Sequence, residues 1–163
     1  MEEKTTYARS GLTEALWKLL AEKKINDISI SELCETAGLS RLSFYRNYTS
    51  KEEILKQYLS RATSAFLKNT SVNFRTTPKK EFIIQLINHM EQHREIILIL
   101  IRNDLSYLLK EAFDEAFSRS IGIYHDPYRC YVASGAYFNL VYYWFLDGCR
   151  ETPEELAEMD LRI

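Results

Sequence analysis

Glycine and proline are scarce in this chain, at five and three of 163 residues. So few turn-formers argue against a sheet protein folded through many tight turns and for a helical one. An excess of one charge is also missing. The net charge is −2, so the chain as a whole does not advertise a nucleic-acid binder. Cysteine is rare and odd in number. Cys34, Cys130 and Cys149 stand at unrelated spacings, which fits a reduced, cytoplasmic protein better than a disulfide framework. The longest uncharged stretch, residues 130–146, falls short of the ~20 residues a membrane span needs and carries Ser134, Gly135 and Asn139. The N-terminus, MEEKTTYARS, is polar and acidic, unlike a signal peptide. A Gly-rich phosphate loop, a nucleophile elbow and a C-x-x-C pair are all absent. An enzyme, a catalytic residue and a cofactor are therefore not expected.

What is present is apolar content, 46% of the chain, arranged at helical spacing. Ala8, Leu12, Ala15, Leu16 and Leu19 stripe a first helix over about 5–23. Three helix starts then follow closely. Ser29 and Glu32 read as a capping box, with Ile30, Leu33, Cys34 and Ala37 behind it. Gly38 ends that helix where a left-handed residue is wanted. Ser40 caps a short helix over 41–47, with Leu39 and Phe44 as a hydrophobic staple. Ser50 and Glu53 open a fourth helix that runs through Phe66. Pro78 opens a fifth, the apolar run 96–101 makes a sixth, and the face from Leu105 to Phe117 a seventh. His125-Asp126-Pro127 opens a long aromatic helix over about 127–149, and Thr152-Pro153-Glu154-Glu155 caps a last short one. The expectation is an all-α chain of about nine helices.

The helices at 29–37 and 40–47 have the size and tight joint of a helix-turn-helix, whose second helix enters the DNA major groove with its N-terminal side chains on base edges. From residue 36 to residue 51 there is no acidic side chain, while Arg41, Arg46 and Lys51 are basic. A short basic strip on a near-neutral protein suffices to face phosphate. Arg41 can pair with guanine in bidentate fashion, Leu42 can touch a thymine methyl, and Ser43 can reach base or phosphate. Tyr45, Arg46 and Asn47 can donate to phosphate. Lys51 stands at a helix N-terminus, a natural anion site. Each has a plainer reading. Ser29, Ser40 and Ser50 are needed as caps with or without DNA, and Tyr45 also suits packing between helices. Cys34 reads as core. Arg41 has no evident structural task, so it is the strongest candidate for base reading.

The segment ISISELCETAGLSRLSFYRNYTSKEEIL resembles the DNA-binding signature of the tetracycline-repressor (TetR) family, over about residues 8–60. The resemblance implies an N-terminal three-helix helix-turn-helix domain over 1–52. A C-terminal helical ligand-binding and dimerisation domain follows over 53–163, and the helix starting near 50 links the two. It implies that Ser31, Arg41, Leu42, Ser43, Tyr45 and Lys51 contact DNA and that Ser29 and Ser40 meet the backbone. Asn47 stands where the family often has His, and Tyr48 where it often has Phe. The function implied is that of a homodimeric transcription regulator, more often a repressor, on a palindromic operator in double-stranded DNA. A small-molecule effector, unidentified by the sequence, would release it.

In the C-terminal half, aromatics surround the 127–149 helix, so burial on several sides is expected. Ala133, Ser134, Gly135 and Ala136 would let a partner helix approach. Candidate pocket residues are Tyr107, Phe113, Tyr131, Phe138 and Tyr142, although an aromatic stripe is more often plain core. His89 and His93 are spaced i, i+4 as a metal pair can be, but no third ligand is indicated and no metal is expected. A second reading makes the chain a TetR-like protein-interaction adaptor or coactivator without ligand-controlled DNA binding. The cations at 41, 46 and 51 weigh against it. A small helical enzyme lacks the cluster of titratable groups it would need.

Overall fold

The computed structural model describes residues 2–69, 76–119 and 126–159, with the side chains of 2–5 and 67–69 left aside. These residues form nine α-helices and one 3-10 turn, with no strand among them. The helices are α1 (Glu2–Glu22), α2 (Ile30–Thr36), α3 (Arg41–Asn47), α4 (Lys51–Asn69), α5 (Lys79–Gln92), α6 (Arg94–Arg102), α7 (Ser106–Ser118), α8 (Pro127–Leu146) and α9 (Pro153–Glu158). The all-α expectation is met. The segment after α1, expected as a plain linker, contains the 3-10 turn Ile25–Asp27, which buries Ile25. His125 lies outside the described residues.

The chain divides into two compact units, Met1–Leu59 and Ser60–Ile163, so the boundary falls inside α4. In the first unit α1, α2 and α3 pack on one another. Leu12, Leu16, Leu20, Ile28, Leu33, Phe44, Ile54 and Leu55 are all fully buried there. In the second unit α7 packs along α8, and α5 along α9. Its centre is a chain of rings. Phe82 meets Tyr137 at 4.8 Å, and Tyr137 stacks on Phe117 at 5.7 Å between centroids.

Caps fix the element ends. Ser29 Oγ accepts from Glu32 N, Ser40 Oγ from Ser43 N, and Ser50 Oγ from Glu53 N. Asp126 accepts from Tyr128 N ahead of Pro127, and Thr152 and Glu155 form a reciprocal capping box. The C-terminal ends of α2, α6 and α8 share one device. The residue after the cap turns left-handed: Gly38 (φ 65°), Asp104 (φ 61°) and Gly148 (φ 80°). The next N–H then reaches five residues back: Leu39 to Cys34, Leu105 to Leu100 and Cys149 to Trp144, each at 2.8 Å. This is the Schellman closure, with an apolar contact across it. It also ends α8 at Leu146, three residues before the expected 149, because Gly148 and Cys149 (φ 55°) both leave the helical region.

At Gly38, as at Gly148, a Cβ built on the backbone meets nothing within 4 Å. Gly38→Ala therefore isolates the backbone cost of the left-handed turn, about 1–2 kcal/mol. The expected result is a thermal transition of the first unit lowered by roughly 5–15 °C. An unchanged melting curve would show that the turn does not need a left-handed residue.

Candidate nucleic-acid interface

The turn between α2 and α3 is closed by Gly38 and by Ser40, whose Oγ accepts from Ser43 N at 3.1 Å and lies 3.1 Å from Ser43 Oγ. Phe44 anchors α3 from below and is fully buried, with Tyr45 edge-on at 5.3 Å and Tyr48 at 6.3 Å. With Phe44 pointing inward, Arg41, Leu42, Tyr45 and Arg46 are left pointing outward. Leu42 is 58% and Tyr45 60% exposed. Large apolar side chains are not left in water for the sake of folding, and here two stand beside two arginines on one short helix. That surface offers guanidinium donors, a phenol and a methyl-bearing side chain together, which are the groups that read base edges and phosphates. Tyr45 thus touches Phe44 while most of its side chain stays in water.

The other expected site residues divide. Ser31 is exposed on α2 and Ser29 is exposed at its cap. Ser43 is half-buried. Asn47 is engaged within the unit: its Nδ2 donates to Ser43 O at 2.8 Å, and its Oδ1 accepts from Arg9 Nε at 3.3 Å. Arg9, on α1, had not been singled out from the sequence, where it is one more polar residue on an amphipathic helix. Lys51 stands apart from the outward surface. Its ammonium donates at 2.5 Å to Ile25 O and Ile28 O, the carbonyls of the first residue of the 3-10 turn and of the residue just past it. The sequence shows a lysine at a helix N-terminus; it does not show two carbonyls folded back against it.

The first turn of α4 carries a further lock. The Glu53 carboxylate accepts from Thr49 N at 2.6 Å and Thr49 Oγ1 at 2.7 Å, so it reaches one residue beyond the Ser50 cap. These two bonds from Thr49 hold the Glu53 carboxyl below its ordinary pKa. On α2, Glu32 pairs with Lys23, just past the end of α1, which lowers the Glu32 carboxyl and raises the Lys23 ammonium. Of the acids on either side of residues 36–51, Glu32 is thus held by Lys23 and Glu53 by Thr49. Burial pushes the Cys34 thiol up, which keeps it a protonated core residue. Tyr48 is buried, at 2% exposure.

In the second unit a small apolar pocket lies among α4, α5 and α7. Of the five pocket candidates only Phe113 lines it. Tyr107 and Tyr131 are exposed, while Phe138 and Tyr142 stack on each other at 5.6 Å on α8. The pocket is lined from α4, α5 and α7. Within the single chain, α8 buries one face and leaves another exposed. Cys130, Ser134, Tyr137, Phe138, Val141, Trp144 and Phe145 are buried, but Tyr128, Tyr131, Val132, Tyr143 and Leu146 form an exposed stripe. No group of three potential metal ligands occurs among the described residues. No described helix is long and apolar enough to cross a membrane.

Residues 12–58 match the family described as bacterial regulatory proteins, tetR family. No curated protein matches the chain. Among solved structures, the fold is similar to that of Lin0861 from Listeria innocua, with a TM-score of 0.80 at 14% identity over 97% of this chain and 89% of that one. It is also similar to the fatty acid degradation regulator FadR from Bacillus halodurans, with a TM-score of 0.57 at 14% identity over 93% and 91%.

Proposed function

The chain is a TetR-family protein carrying the family's helix-turn-helix DNA-binding domain, and from that premise we propose that it is a homodimeric repressor on a palindromic operator. The observation that carries this reading is the outward face of α3, where Arg41, Leu42, Tyr45 and Arg46 stand together on an acid-free strip. Arg41 reads a guanine edge, Leu42 meets a thymine methyl, and Ser43, Tyr45 and Arg46 hold phosphate and register. Ser29, Ser31 and Ser40 border the same strip. Two such helices in a dimer meet successive major grooves about 34–36 Å apart. The exposed stripe on α8 supports a second copy as the partner. The protein then works in the cytoplasm as a non-enzymatic switch, and a small molecule bound in the second unit releases the DNA.

The test is selection of bound sequences from a random DNA pool, followed by gel shifts on the selected site. Arg41→Ala is expected to weaken specific binding about 5- to 150-fold and to relax preference at one base position, as loss of a bidentate arginine does. Tyr45→Ala is expected to weaken binding across sequences alike. Affinity should fall steeply with salt. Unchanged binding in both variants sinks this assignment of the reading face.

A further inference from the structure

Asn47 closes α3 with both ends of its amide engaged. Its Nδ2 donates to Ser43 O at 2.8 Å, and its Oδ1 accepts from Arg9 Nε at 3.3 Å. The amide is thereby turned into the unit and is spent mainly on fixing its neighbours. Arg9 is half-buried on α1, 38 positions away in the chain. Only the Nε of its guanidinium is used. Both terminal amino groups are without a hydrogen-bond or ion-pair partner among the described residues. A guanidinium is planar and rigid, so one bond at Nε orients the whole group. Its remaining N–H groups then form a fixed fork, the shape that grips two phosphate oxygens at once.

The charge of that fork is not cancelled within the chain. The acid that feels it is Glu53, whose carboxylate is already filled. Glu53 accepts from Thr49 N, Thr49 Oγ1 and Gln57 Nε2. The bonds from Thr49 do most to hold its pKa down, and the Arg9 charge adds to them. No ion pair joins Glu53 to Arg9 among the described residues. Arg9 therefore adds a cation from α1 beside the end of α3 where Tyr45 and Arg46 already face outward.

We propose that Arg9 is a further DNA-backbone residue: Asn47 orients its guanidinium, and the free fork grips a phosphate flanking the bases that α3 reads. Asn47 is then a positioning residue and not itself a phosphate donor. This deepens the DNA-binding reading above and rests on it. The contact carries no sequence preference, because a phosphate is the same beside every base.

The experiment uses the full chain and two duplexes, the selected site and a scrambled sequence of equal length, titrated from about 50 mM salt upward. Arg9→Ala is expected to weaken binding to both duplexes alike, about tenfold at the low end, and to reduce the salt slope by about one per chain bound. Arg9→Lys should restore the slope, which counts charges, but only part of the affinity, since an ammonium lacks the fork. Asn47→Ala should keep the parent slope and weaken binding about threefold, the cost of ordering one freed side chain. In the double variant the two losses should not add. A bond that merely staples α1 to α3 would lower the melting temperature and leave the slope alone. A parent-like slope in folded Arg9→Ala, or a loss confined to the selected site, therefore overturns the proposal. If Arg9→Ala does not fold, the slope of Arg9→Gln decides in its place; failure of both to fold makes Arg9 a residue of the fold and also overturns it. A parent chain that binds neither duplex removes the DNA-binding reading itself. A parent that binds, with Arg9→Ala matching its slope, removes this proposal alone.

Discussion

Phe44→Ala is expected to destabilise the first unit by about 3–5 kcal/mol and to abolish specific DNA binding at 37 °C. Phe44 is fully buried and is the largest such side chain among the described residues. It is the one fully buried residue of α3, since its neighbours Leu42, Tyr45 and Arg46 all point away. Removing the ring leaves a cavity that a seven-residue helix is too short to collapse into. A loss of that size is a large fraction of the 5–15 kcal/mol typical of whole proteins. Denaturation followed by circular dichroism should show an early transition absent from the parent chain, and Phe44→Leu should recover most of the loss. A parent-like curve for Phe44→Ala would mean that α3 is held by something other than this ring.

The second large effect concerns α8. Val132→Asp combined with Tyr143→Asp is expected to leave each chain folded and to give a species of 19.2 kDa, where the proposed parent dimer would run at twice that mass. Both side chains are exposed in the single chain, at 59% and 69%, so the chain's own stability should change little. In a dimer joined through this stripe, four carboxylates would face apolar contact. At ~4 kcal/mol or more for unpaired like charges, the dissociation constant should rise about a thousandfold or more. Sedimentation at micromolar concentration measures it. Operator affinity should fall in parallel, because one helix-turn-helix neutralises about half the phosphates and the salt slope shrinks accordingly. A double variant that still sediments at twice the chain mass shows that the copies join elsewhere, or not through this stripe.

The sequence made local features legible wherever a local rule governs them. The bounds of α3, the caps at Ser29, Ser40, Ser50, Asp126 and Thr152, and the left-handed Gly38 each follow from residues within five positions of one another. The outward set of Arg41, Leu42, Tyr45 and Arg46 was legible too, because Phe44 fixes the phase of a short helix. What escaped the sequence depends on distant partners. Lys51 turns to carbonyls 23 and 26 positions away, and Asn47 meets Arg9 across 38. The pocket escaped for a related reason. Phe66, Phe82 and Phe117 each look like ordinary core residues of their own helices, and only packing leaves space between them. Much of the aromatic richness of α8 faces outward, at Tyr128, Tyr131 and Tyr143.

The double lock at the start of α4 carries a mechanical consequence. Lys51 grips the carbonyls of Ile25 and Ile28, and Glu53 grips Thr49, so the first turn of this helix is a fulcrum riveted to the DNA-reading body. Thr63 and Phe66, which line the pocket, stand on the same unbroken rod, Thr63 about 18 Å further along at 1.5 Å per residue. The start of α4 is thus held as one piece with the 3-10 turn and with Thr49, and cannot shift without drawing both along.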